Sequence, residues 1–131
     1  MALATDDILA IQKLIADYNH LVDMGDGAAF AQLFVEGGSL DTGFNVVKGT
    51  DELRDFAAFV PTMAPGARHW TSNVSIDGDG DSATSRLYLQ MYSTAGGAAE
   101  TKLVISGVYE DTLRRDDSQW RFVTRKLTVD T

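Results

Sequence analysis

The hydrophobic positions of this chain change period part-way along. Ile8, Ile11, Ile15, Tyr18 and Val22 recur every three or four residues, flanked by Leu14 and Leu21. That is the stripe of an amphipathic helix. Thr5 or Asp6 stands where an N-cap is expected, Asp7 follows where the helix dipole favours an acid, and Gly25 supplies a stop. Asp26 is placed to cap a second, short helix over 28–34, broken by Gly37-Gly38. Residues 39–47 read as a short two-stranded element turning near Thr42-Gly43, and Thr50 is placed to cap a third helix over 51–60, stopped by Pro61 and Pro65.

Beyond Pro65 the pattern becomes that of strands. Four runs rich in β-branched and aromatic residues cover 67–77, 82–94, 100–115 and 120–130, divided by short Gly-rich or polar stretches. Such short connections join antiparallel hairpins, because a parallel crossover needs about a dozen residues or more. Strands of about 10–15 residues exceed the common length and must coil or bend. Helices followed by a long meander make an α+β order, and no repeat or linker divides the 131 residues, so one domain over 1–131 is expected.

Composition narrows the partners. A net charge of −8 without a basic cluster disfavours nucleic acid and anionic membranes, since both are held by grouped Lys and Arg. The chain has no cysteine, so it offers neither a disulfide framework nor a thiolate nucleophile. No signal-like segment or membrane-length apolar run is visible, and a cytoplasmic location is the expectation. Asp77, Asp79 and Asp81 alternate like a calcium loop, but loop position twelve falls on Tyr88, so a hairpin turn is the better reading.

Chemistry-bearing residues are few. Of two histidines, His69 lies early on the first long strand, where simple alternation puts it with Thr71 and Asn73 and sets Trp70, Val74 and Ile76 on the other face. Asp23 sits in the last turn of the first helix, where the dipole disfavours a carboxylate. Tyr18 lies in the apolar stripe of that helix, so its ring is expected to be buried with its hydroxyl partnered. Arg125 shares a strand face with Val123, Leu127 and Val129 and must find a partner or line a cavity, although Phe122 on the opposite face blurs the pattern.

The order Tyr18-x-x-x-x-Asp23, Asp26…Phe34, Arg68-His69-Trp70-Thr71-Ser72-Asn73, with the tail Gly107-Val108-Tyr109-Glu110-Asp111…Trp120-Arg121-Phe122…Arg125, resembles the SnoaL-like branch of the nuclear transport factor 2-like superfamily. The resemblance spans nearly the whole chain. It implies a cone-shaped, curved antiparallel sheet forming a partial barrel around a pocket, with three helices from the N-terminal half. It also implies an Asp–His dyad, Asp23 and His69, performing cofactor-free elimination as in the dehydratase and dehydrochlorinase members. Tyr18 matches a tyrosine of one dehydratase member, where the dehydrochlorinase carries lysine. Arg125 matches an arginine that the dehydrochlorinase carries on its last strand.

On that basis His69 is expected as general base, Asp23 as its orienting partner, Tyr18 as hydrogen-bond donor and Arg125 as stabiliser of developing negative charge. No cofactor and no metal are called for. The expected partners are a small hydrophobic, ring-containing molecule, with Phe56, Trp70, Tyr88 and Tyr92 as candidate pocket aromatics, and a second or third copy of the chain. Three other readings stay open: a non-catalytic ligand-binding or dimerisation module, a cyclase or hydrolase using Asp23 directly, and a metal site built from His20, His69 and Asp23.

Overall fold

The computed structural model describes residues 2–131. Three helices, α1 (Thr5–Met24), α2 (Gly27–Ala31) and α3 (Thr50–Met63), pack against one six-stranded curved and unclosed sheet. Its strands are β1 (Phe34–Asp41), β2 (Val46–Lys48), β3 (Ala67–Asp79), β4 (Ser82–Ser93), β5 (Lys102–Asp116) and β6 (Gln119–Val129), in the spatial order β2-β1-β6-β5-β4-β3. All neighbours are antiparallel except β1 and β6, which run parallel. No helix among the described residues is long and apolar enough to cross a membrane.

The helix ends differ in detail from the sequence pattern. Ala4 occupies the N-cap of α1, and its N–H donates to the Asp7 carboxylate at 3.1 Å. Asp26 does cap α2, accepting from the Ala29 N–H. That helix closes at Ala31, and Phe34 already opens β1, because Gly37-Gly38 forms an irregularity within the strand rather than a helix stop. Pro61 lies inside α3 instead of ending it. In the last turn a missing N–H removes a single helical bond, and the ring gains packing against Gly25. Gly25 closes α1 at φ 75°, so close to Pro61 that an added Cβ would sit 2.7 Å from its Cγ.

Two bulges decide which side chains face inward. In β3 the pairing slips between Ser72 and Ser75, with Asn73 at φ 56°. Strict alternation would separate Val74 and Ile76 from His69; the slip returns them to the interior side, where they pack on the core. In β6 the pairing slips between Phe122 and Thr124, which brings Phe122 onto the buried face with Arg125 and Leu127. The mixed polarity around Phe122 in the sequence therefore reflects a bulge.

The inward residues stack in rungs across the sheet. Phe122 pairs with Leu113 to fill one end, Leu40, Arg125, Asp111 and Ser85 form the next rung, and Leu127, Tyr109 and Leu87 the one above. The helices cover this face with Ile11, Leu14, Ile15, Tyr18, Leu53, Ala57 and Val60, all buried. Burying a side chain of this size contributes about 1.5–3 kcal/mol, so this layer is the main apolar source of stability.

Candidate functional site

Above the Tyr109 rung the interior is not filled. A cavity of about 410 Å³ remains between the sheet and α3, walled by Leu40, Phe56, Val60, Leu89, Met91, Ile105 and Leu127. Five polar side chains interrupt that wall: Tyr18, Tyr109 and His69, with Thr42 and Asn45. Phe44, Phe59 and Met63 also line it and are well exposed, so the mouth carries an apolar rim. A mostly apolar hollow with few convergent polar groups is the usual form of a small-molecule site.

His69 and Asp23 meet. His69 lies on β3, the edge strand, so its backbone N–H is free to leave the sheet, and it donates to the Asp23 carboxylate at 3.1 and 3.2 Å. The ring Nδ1 lies 2.6 Å from Asp23 Oδ1. These donors offset the unfavourable helix end on which Asp23 sits. With Nδ1–H donating to a carboxylate, the lone pair belongs to Nε2, which has no hydrogen-bond partner among the described residues. A second tie fixes α1 to β3: Asn19 Nδ2 donates to Thr71 Oγ1 at 3.0 Å.

Tyr18 projects from α1 into the same cavity, its ring edge toward His69 with 6.5 Å between centroids. Its ring meets that of Tyr109 edge to face, 5.9 Å between centroids, and both rings line the cavity. Burial pushes the Tyr18 phenol well above its ordinary range and raises Tyr109 as well, so both stay protonated donors. Tyr109 was not singled out from the sequence. The available signal was its place two residues before Asp111 and four before Leu113, a spacing that puts all three on the inward face.

Arg125 lies elsewhere than expected. It is not among the cavity residues; it is 1% exposed, one rung deeper, with Nε 3.0 Å from Asp111 Oδ1. Its guanidinium carbon stands 3.7 Å from the Tyr109 ring centroid, 4.2 Å from that of Tyr18 and 4.8 Å from that of Phe122. The apolar face holds an arginine because Asp111 neutralises it and three rings cover it. Ser85 donates to the other Asp111 oxygen at 2.6 Å, and burial pushes that carboxyl up.

The proposed pocket aromatics are corrected too. Trp70 and Tyr88 stand exposed on the outer side, where Trp70 packs on Tyr92 at 5.0 Å between centroids. Phe56 alone of those four lines the cavity. His20 and Asp23 border a second groove, between α1 and β3, which His69 also lines, with Asn19, Arg68 and Trp70. Among the described residues no group of three or more His, Asp or Glu side chains could hold a metal ion.

A family model described as a SnoaL-like domain matches residues 4–126. No curated protein gives a significant match. Among solved structures, a Mycobacterium tuberculosis protein of unknown function is 33% identical with a TM-score of 0.88, over 97% of this chain and 78% of that one. A cystatin-like-fold protein of unknown function from Nostoc punctiforme is 30% identical with a TM-score of 0.87, over 99% and 96%. A protein provisionally named scytalone dehydratase, from Novosphingobium aromaticivorans, is 25% identical with a TM-score of 0.78, over 95% and 84%.

Proposed function

Because the chain belongs to the SnoaL-like domain family, we propose that it is a cofactor-independent lyase or isomerase that takes a proton from carbon on a small, ring-containing hydrophobic molecule. The observation that carries this reading is the 2.6 Å contact between His69 Nδ1 and Asp23, on a histidine that also lines the apolar cavity. His69 Nε2 is the general base. Asp23 fixes the tautomer and stabilises the imidazolium as it forms. Tyr18 and Tyr109 offer hydroxyls to a substrate carbonyl or departing hydroxyl. In an elimination the C–H electrons form the new double bond, the C–O bond breaks, and the proton on Nε2 passes to the leaving oxygen, which departs as water. In an isomerisation the same proton returns to a neighbouring carbon.

Asp23 is better suited to orienting His69 than to acting alone. It borders the outer groove, and both its oxygens already accept from His69. The similarity to a protein named as a dehydratase supports the elimination form of the reaction. The apolar rim of Phe44, Phe59 and Met63 supports a hydrophobic substrate.

The test is carbon–deuterium exchange. With 2-tetralone as a ring ketone in D₂O, the protein should accelerate exchange beside the carbonyl above the buffer rate, and His69→Gln should abolish the acceleration while leaving the circular dichroism spectrum unchanged. Equal exchange by both proteins would refute the base assignment.

A further inference from the structure

The deepest polar group of the molecule has no place in that chemistry as written. Arg125 and Asp111 have fully buried side chains. Neither Nη1 nor Nη2 of Arg125 has a hydrogen-bond partner among the described residues. A buried pair of this kind is seldom kept for stability, since well-packed apolar residues of similar volume are commonly as stable or more so. Its placement is specific: the guanidinium lies 3.7 Å from the centre of the Tyr109 ring and 4.2 Å from that of Tyr18, the two tyrosines that line the cavity.

We propose that Arg125 is a positioning residue that turns the Tyr18–Tyr109 pair into an oxyanion-binding site without itself touching the ligand. A cation on a ring face draws electron density away from the phenol oxygen, so the hydroxyl becomes a stronger donor to a negative oxygen. The charge lies behind the rings in a medium that screens it poorly. Asp111 lies 3.0 Å from the guanidinium Nε, and Ser85 holds Asp111. Burial raises both phenols, and the Arg125 charge acts on each in the opposite direction. The ligand class that gains is a ring compound carrying an enolate or phenolate oxygen. This proposal rests on the cavity being the reaction site.

Two probes separate the charge effect from the cavity. Naphthalene reports the apolar volume alone; 4-nitrophenolate, followed by its absorbance, adds an oxyanion. The full chain should bind both. Arg125→Met, and the double variant Arg125→Met with Asp111→Asn, which leaves no buried charge unpaired and the net charge unaltered, should bind nitrophenolate at least about tenfold more weakly, the size of one pKa unit. Naphthalene binding by the double variant should stay within about twofold. If the double variant binds both probes as the parent does, or loses both alike, Arg125 has only a structural role and the proposal is overturned. If the parent binds naphthalene but not nitrophenolate, the oxyanion site is overturned while the cavity reading stands. Binding of neither probe by the parent removes both.

Discussion

Two acid–base pairs lie at different depths in this fold. Asp23–His69 lies at the seam between α1 and the edge strand, with side chains 12% and 9% exposed, and its basic partner is an imidazole. Asp111–Arg125 lies near the middle of the sheet, with both side chains at 0%, and its cation is permanent. The inner pair cannot exchange a proton with a ligand, because neither group reaches the cavity. The outer pair can, because the histidine forms part of the cavity wall. In the proposed reaction burial divides the work: one pair would supply a fixed field and the other a movable proton.

Changes at the two pairs should therefore fail in different ways. The largest effect is expected at His69: His69→Gln should lower catalysed exchange by about 10²–10⁴-fold, the usual contribution of a general base, with little change in the denaturation midpoint. Next is Arg125→Met, which leaves Asp111 buried and alone. It should cost about 3–5 kcal/mol in urea unfolding, whereas the double variant with Asp111→Asn should lose less than the single change. Equal losses would mean that the pair is not coupled.

Asp23→Asn should be milder for the fold and selective for rate. The amide can still accept from the His69 backbone N–H, but it cannot stabilise an imidazolium, and a loss of exchange of about 10²-fold is expected. The smallest effect is at Asp7, which accepts from Trp120 Nε1 at 3.1 Å and Arg115 Nη1 at 2.6 Å. The hydrogen bond from Trp120, then that from the Ala4 N–H and the Arg115 charge, hold its carboxyl below the ordinary value of 3.8. A lowered folded value gives stability above the unfolded value that is lost as pH falls through the folded one. Asp7→Asn should therefore lower Tm by a few degrees at neutral pH, and the gap from the parent should close below about pH 4.

The outer pair was far more legible in the sequence than the inner one. Asp23 stood out because it broke a helix-end rule, and His69 because the chain has only two histidines. Helix periodicity, hairpin spacing and the approximate extents of the four long strands also read directly, since each depends on neighbours a few residues apart; the start of β1 at Phe34 did not. Bulges did not. Asn73 takes a left-handed backbone that few residues adopt, and nothing local required the slip there or beside Phe122. Both slips change which face a side chain joins, and alternation misassigned Val74, Ile76 and Phe122 for that reason. Arg125 was legible as a misfit on an apolar face. That it would meet Asp111 and two tyrosine rings from other elements depended on tertiary packing, as did the role of Tyr109.

The most direct test is the protonation of the His69 ring itself, read by nitrogen NMR on protein with ¹⁵N-labelled histidine. Two histidines give two spin systems, and His69→Gln assigns them. The neutral ring should carry its proton on Nδ1 and leave Nε2 bare, and Nε2 should shift when 2-tetralone is added. A ring protonated on Nε2, or an Nε2 signal indifferent to the ketone, would contradict a base that faces the cavity.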